Sequence, residues 1–201
     1  MTQSSRARLL VALMLGVVLL PHEAESQRWG ISVGLSHVFQ EEWALVGYRL
    51  AGRTYWQAGE HIQYGFEGAA EFWRPASGTP FGLIGSYWSS SGSAWLFEAG
   101  PAVRLMTGQP AAGRVNLFGQ GAAGVVIISS NAEIVSYPVV PNPIGIPVEM
   151  MKSQAAPHVE LGLGALSREG KPSIELVVKA HAIFVNPKTT IFVSLNFGLN
   201  F

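Results

Sequence analysis

Cysteine and aspartate are both absent from the 201 residues. Without cysteine there is no disulfide framework and no thiolate metal site. Without aspartate there is no Asp-rich calcium loop of the EF-hand kind, and every acid in the chain is a glutamate. Charge is scarce, at 13% of residues, and its signs cancel, with 13 Lys and Arg against 13 acids. A neutral chain lacks the basic footprint that nucleic acid requires. Long apolar runs are missing too. Hydrophobic residues make up 48% of the chain, yet no stretch after Leu20 approaches the roughly 18 consecutive apolar residues that mark a membrane-crossing helix.

The amino-terminal segment reads as a secretory signal. Arg6 and Arg8 precede an unbroken apolar run from Leu9 to Leu20, and Pro21 and the small-x-small triplet Ala24-Glu25-Ser26 follow. That run is too short to cross about 30 Å of hydrocarbon as a helix. Cleavage is expected after Ser26, so that 1–26 is a signal peptide and 27–201 a single domain.

The apolar residues of that domain alternate with polar or small ones. In the last segment Ile191, Val193, Leu195, Phe197, Leu199 and Phe201 fall on one face. Thr190, Ser194, Asn196, Gly198 and Asn200 fall on the other, with Phe192 the one apolar intruder. Period two over this length is a strand with one oily face. The pattern recurs over Trp29–Phe39, Ile62–Trp73, Phe81–Trp88, Trp95–Leu105, Val115–Ile128, His158–Ala165 and Ile174–Phe184. Most of these segments are long enough for a tilted crossing of about 9 to 11 residues, and nothing else in the chain could cover so many oily faces except lipid. The polar faces are rich in Gly, Ala and Ser, as the crowded interior of a small barrel requires. The expected fold is all-β: an eight-stranded antiparallel up-and-down transmembrane β-barrel.

The connections fit that count. Arg74–Pro80, Thr107–Gly113 and Ser167–Pro172 are expected as short turns on the side of the chain ends. Gln40–His61, Ser89–Ser93, Ser129–Ser153 and Asn186–Thr189 are expected on the opposite, external side. Trp43–Trp56 is partly strand-like through Leu45, Tyr48 and Leu50. It either extends the first hairpin or is a ninth crossing, which would need a tenth between Asn131 and Met150. That stretch carries Pro138, Pro141, Pro143 and Pro147, and proline is confined to sheet edges, so eight is preferred.

With its leader, its eight alternating segments and the terminal Asn196-Phe197-Gly198-Leu199-Asn200-Phe201, the chain resembles the small outer-membrane barrels of Gram-negative bacteria, of OmpA-like and OmpX-like type. The resemblance is one of pattern over the whole domain. It implies an outer-membrane location among lipid and lipopolysaccharide. It also implies an assembly signal, in which Phe201, Leu199 and Phe197 present the last strand to the barrel-assembly machinery. Gly198 stands closer to the end than in the family's signal. The resemblance implies no activity.

Few residues suggest chemistry. Glu67, Glu71, Glu98, Glu160 and Glu175 fall on inward faces with Arg104, Lys179, His158 and His181. Charges inside a narrow barrel must pair, so a salt-bridge network filling the lumen is expected, with a gated ion or solute path as the sharper alternative. A four-residue turn at Arg168–Lys171 would set Glu160 opposite Lys179 and His158 opposite His181. A two-residue turn at Pro187-Lys188 would set His181 opposite Ser194, a base beside a nucleophile. That pair is the candidate for a lipid A acyl hydrolase, but Glu175 is badly placed to orient His181 and the site faces away from lipid, so no enzyme is expected. His37, His61, His158 and His181 are scattered without a ligand pair, and neither a metal nor a cofactor is expected. His37 and His61 are assigned to the outer rim.

Trp29, Phe72, Phe81, Tyr87, Trp95 and Phe201 lie near strand ends, where aromatic girdles sit. Trp43, Tyr55, Trp56 and Trp88 are assigned to the outer end. Loops 40–61 and 129–153 are the expected contacts for an external ligand. The first carries Glu41, Glu42, Arg49 and Arg53, and the second an apolar Pro-rich run. The competing reading is an exported lipocalin-like binder, oily inside and polar outside.

Overall fold

The computed structural model describes residues 27–40, 43–75, 86–107, 115–138, 146–148, 152–167, 172–185 and 189–201. The expected signal peptide lies outside them. Eleven strands follow in chain order: β1 (Gln27–Gln40), β2 (Trp43–Gln57), β3 (Ile62–Pro75), β4 (Ser86–Ser91), β5 (Ala94–Met106), β6 (Val115–Ser130), β7 (Glu133–Pro138), β8 (Ile146–Val148), β9 (Gln154–Ser167), β10 (Ser173–Ile183) and β11 (Thr190–Asn200). Eight of them close a barrel in the order β1-β11-β10-β9-β6-β5-β3-β2, and β4, β7 and β8 form a separate three-stranded sheet. Every barrel pairing is antiparallel, and closure comes from β1 against β11, from Gly30↔Asn200 to Val38↔Phe192.

The count of eight stands, but one of its members is exchanged for another. Trp43–Trp56 is a full crossing, paired along its whole length with β1 and from Leu45 onward with β3. Most of Gln40–His61 is therefore a barrel strand and not an external loop. Of Phe81–Trp88, residues 81–85 lie outside the described residues. Residues 86–91 pair with β7 away from the barrel, so the segment is no crossing. In sequence, the four serines among residues 86–91 break the alternation that a crossing needs. The rotation of topology also moves Arg74–Pro80 to the opposite mouth. There the connections 76–93 and 131–153 supply β4, β7 and β8. The mouth with these two long connections is here the long-loop mouth, and the other, where β1 starts and β11 ends, the termini mouth.

Alternation along each strand becomes a wall with two faces. On β10, Ile174, Leu176 and Val178 are exposed, while Ser173, Glu175, Val177, Lys179, His181 and Ile183 are buried. Leu161 and Leu163 on β9 are 71% and 75% exposed, whereas Glu160, just before them, is 3% exposed. An outer wall this apolar around a charged interior is the inverse of a lipocalin and is that of a transmembrane β-barrel. Aromatic rings gather on both rims of the wall. Phe72, Trp95 and Phe97 form a run near the long-loop mouth, with centroids 4.8 and 6.2 Å apart. Exposed Trp29 and Phe201 and the stacked pair Trp56–Tyr64 lie near the termini mouth. Tyr55 and Trp56 thus sit at the end opposite to the one expected. His61 follows them in the β2–β3 turn, while His37 faces outward nearer the long-loop mouth.

The interior is layered. Under the long-loop mouth Val38, Trp73, Leu96, Val126, Ile128, Ile183 and Phe192 form an apolar cluster with Ala94 and Ala156. Phe192, the intruder on the polar face of β11, belongs here: its ring meets Trp73 edge-on at 4.8 Å. Gly47 makes room for Trp73, because a Cβ at that position would run into the indole. Toward the termini mouth Met106, Phe118, Leu166 and Val177 form a second apolar cluster. Most of the charged residues lie between the two, while Glu175 stands opposite Leu166, level with the second.

Leu161→Arg tests the wall. On a lipid-facing surface near mid-height this change costs about 2–4 kcal/mol, measured by urea unfolding in lipid vesicles. A loss within about 0.5 kcal/mol, ordinary for a solvated surface site, would contradict the membrane-facing assignment.

Candidate functional site

The charged layer is built from alternate residues of six strands. Arg49 and Arg53 come from β2, Glu67 and Glu71 from β3, and Glu98 and Arg104 from β5. Gln120 comes from β6, His158 and Glu160 from β9, and Glu175, Lys179 and His181 from β10; all are buried. Each of the nine lumen residues expected from the sequence is therefore inside.

Arg49 is the hub. Its guanidinium pairs with Glu71, with Glu98 at 2.5 Å, with Glu67 at 3.3 Å and with Glu160 at 3.6 Å. Lys179 pairs with Glu67 and, at 2.9 Å, with Glu160. Gln120 donates to Glu67 at 2.7 Å and to Glu160 at 3.0 Å. Trp73 Nε1 donates to Glu71 at 2.7 Å and to Ser36 Oγ at 3.1 Å, tying the charged layer to the apolar cluster above it. A second centre lies nearer the termini mouth. Arg104 grips Glu175 with two bonds of 2.8 and 3.0 Å, between the rings of Tyr55 and Phe118, each 4.3 Å from its guanidinium carbon. Arg53 pairs with the same carboxylate at 2.9 Å, and Asn200 donates to it at 3.2 Å.

Sequence reasoning missed Arg49 and Arg53 by leaving them in a loop. Two signals pointed inward. Gly47, Arg49, Ala51, Arg53 and Tyr55 alternate in phase, with small residues between the arginines. The inward acids also outnumbered the inward cations then assigned, a deficit that two more cations largely remove.

The expected cross-strand pairs are corrected by two residues. His181, not Lys179, stands opposite Glu160 on β9, and Ile183 stands opposite His158. On β11, His181 stands opposite Phe192 and Lys179 opposite Ser194. Both turns are longer than assumed. The side chains lean across these offsets and still meet. Lys179 reaches Glu160, His158 Nε2 lies 3.2 Å from His181 Nδ1, and His181 Nε2 lies 2.8 Å from Ser194 Oγ. The structure thus joins His158 to His181 as the sequence suggested, but across a diagonal and not as a direct pair.

The Ser194–His181 contact has the length of a nucleophile–base hydrogen bond. Its surroundings differ from those of a working one. Ser194 is fully buried and its hydroxyl also accepts from Asn196 Nδ2 at 2.8 Å. The His181 ring is covered by Phe192, stacked at 4.2 Å and 5°. Among the described residues, Glu175, the carboxylate weighed as its orienting group, is bound by Arg53 and Arg104 instead. Phe197, Leu199 and Phe201 are placed on the outward face of β11 and at its end, with Phe197 and Phe201 exposed.

A closed antiparallel barrel of eight strands, oily outside and charged inside, is the fold of the small outer-membrane β-barrels. Comparison with solved structures agrees. Neisserial surface protein A is 7% identical with a TM-score of 0.57, covering 87% of this chain and 95% of that one. Ail of Yersinia pestis in a phospholipid nanodisc is 14% identical with a TM-score of 0.46, covering 88% of this chain and 100% of that one. The amino-terminal barrel domain of Pseudomonas aeruginosa OprF is 11% identical with a TM-score of 0.40, covering 87% and 97%. No protein-family model and no curated protein matches the chain.

Removing one partner from the charged layer strands the other. Glu160→Gln and Lys179→Met are each expected to cost about 3–5 kcal/mol in unfolding free energy. The double variant should cost clearly less than the sum. Strict additivity in a urea double-mutant cycle would show that the two groups do not act as a pair.

Proposed function

We propose that this protein is a non-enzymatic, non-conducting barrel of the Gram-negative outer membrane that presents its long connections to the exterior. The filled interior carries the reading: apolar clusters near both mouths enclose a charged layer whose members bind one another. Eight strands leave room for side chains and little else. The sealed Ser194–His181 pair has no approach for an acyl chain, which favours a scaffold over a hydrolase. The small sheet built by 76–93 and 131–153 favours a contact surface at the long-loop mouth, since loops on a rigid scaffold are where binding resides. Neisserial surface protein A, a solved barrel of similar shape, is named a surface protein, which supports the same kind of role. Lipid and lipopolysaccharide would touch the oily wall. The outward Phe197, Leu199 and Phe201 would present β11 to the assembly machinery.

Two measurements test this. In planar bilayers the parent should give no steady conductance, and protease added to intact cells should cut within 131–153. Sustained ion flow would favour the narrow pore. Protection of 131–153 on intact cells would place the long-loop mouth inside.

Phe201→Ser should lower the amount of folded barrel in the membrane and raise the proteolysed periplasmic fraction. Unchanged membrane levels would remove Phe201 from the assembly signal.

A further inference from the structure

We infer that Glu98, His158, Glu160 and His181 form a binding site for one zinc-class divalent cation inside the lumen. Two imidazoles and two carboxylates from β5, β9 and β10 converge there, all buried, with one ligand atom from each lying within 4.8 Å of the others. Around a tetrahedral ion with bonds of about 2.0–2.1 Å, neighbouring ligand atoms stand about 3.3–3.4 Å apart. Here His158 Nε2 lies 3.2 Å from His181 Nδ1 and 3.6 Å from Glu98 Oε1, and His181 Nδ1 lies 3.6 Å from Glu160 Oε2. Three edges of the tetrahedron are thus nearly in place before any rearrangement.

Three further features point to a cation. Each carboxylate is anchored through one oxygen, Glu98 Oε2 by Arg49 at 2.5 Å and Glu160 Oε1 by Lys179 at 2.9 Å. The other oxygen is turned to the histidines. Glu98 Oε1 is buried with no hydrogen-bond partner, a costly state for a carboxylate oxygen. Glu160 Oε2 also faces Arg49 Nη2, at 3.6 Å. Second, Glu98, His158 and Glu160 line a cavity of ≈ 10 Å³ together with Arg49 and Glu67, the room that one water or one ion needs. It lies against the break in the β5–β6 ladder at Gly100 and Pro101. Gly100 and Gly124 approach the facing backbone too closely for a Cβ and so leave that wall without side chains. Third, five buried carboxylates (Glu67, Glu71, Glu98, Glu160, Glu175) face four buried cations (Arg49, Arg53, Arg104, Lys179) among the described residues. An incoming cation therefore meets no net positive charge.

The surroundings orient the ligands as well. Ser194 Oγ, 2.8 Å from His181 Nε2, accepts the Nε2 hydrogen in the tautomer that frees Nδ1 for the metal. This is the outer hydrogen bond that metal-bound histidines make. Two nitrogens and two oxygens without a thiolate suit zinc and its first-row neighbours better than magnesium or calcium, which take oxygen ligands alone.

The test uses the untagged mature chain, folded in detergent, stripped with EDTA and equilibrated with Zn²⁺. Zinc per barrel is read after removal of free ion, and heat-modifiable gel mobility confirms the fold. One zinc per barrel is expected, with excess Mg²⁺ or Ca²⁺ failing to displace it. His158→Ala and His181→Ala should weaken binding at least tenfold, and Ser194→Ala about ten- to a hundredfold, as loss of an outer hydrogen bond does. Should those variants not fold, the parent alone decides through its Co²⁺ spectrum. The intense visible bands of a four-coordinate ion support the site, and the weak bands of a six-coordinate one overturn it. A folded parent that retains no zinc overturns it too. Full binding by the His158→Ala, His181→Ala double variant would overturn it by placing the ion at surface histidines.

Discussion

Arg49 carries the interior of this barrel. Its guanidinium faces carboxylates from three strands, β3, β5 and β9, and stands on a fourth. In a low-dielectric lumen each of those glutamates would be prohibitive alone, and the arginine in turn needs them. The planar fork suits this position because it offers several donors in fixed directions, which a lysine ammonium does not. Lys179 sits beside it as a point charge joining Glu67 to Glu160, and Gln120 links the same two acids without adding charge. Register follows from this arrangement. A slip of one residue on any strand would turn its charged set into lipid and its oily set inward.

Around that centre the remaining residues are sorted by what the narrow interior can hold. Large apolar side chains enter where the charges stop, and the join is made by groups with two characters. Trp73 lays its ring against Phe192 and directs its N–H to Glu71 and Ser36. Arg104 holds Glu175 with its edge and packs Tyr55 and Phe118 with its faces. Such residues let polar and apolar layers share a boundary with few stranded donors.

Much of this was legible in the alternation of the sequence, and the failures have physical causes. Which face of β3, β5, β6, β9, β10 and β11 turns inward follows from period two alone, and the lumen acids come with it. The second strand was harder because Gly47, Gly52 and two arginines interrupt its apolar run. Arg49 and Arg53 look like solvated loop residues until the surplus of inward glutamates is counted. Phe81–Trp88 misled in the opposite sense, because a few alternating aromatics resemble a crossing whether or not lipid faces them. The contacts among His158, His181 and Ser194 were expected on a register two residues out. They form because long side chains bridge a diagonal as readily as a direct pair. The meeting of His158 and Glu160 with Glu98 lies beyond local pattern, since it depends on β9 and β5 flanking β6 in a curved wall.

The seam between β1 and β11 has a consequence for how the molecule comes into being. Its partners, Gly30 and Asn200 among them, stand at opposite ends of the described chain, so the last ladder to form is also the most distant in sequence. Until it forms, β1 and β11 are both open edges, able to recruit any other strand. A half-made wall would meanwhile hold glutamates and arginines against hydrocarbon, where nothing offsets them. Intermediates that are both inserted and open are therefore the least tolerable states on the route. A route on which β1 meets β11 before the wall is exposed to hydrocarbon avoids them.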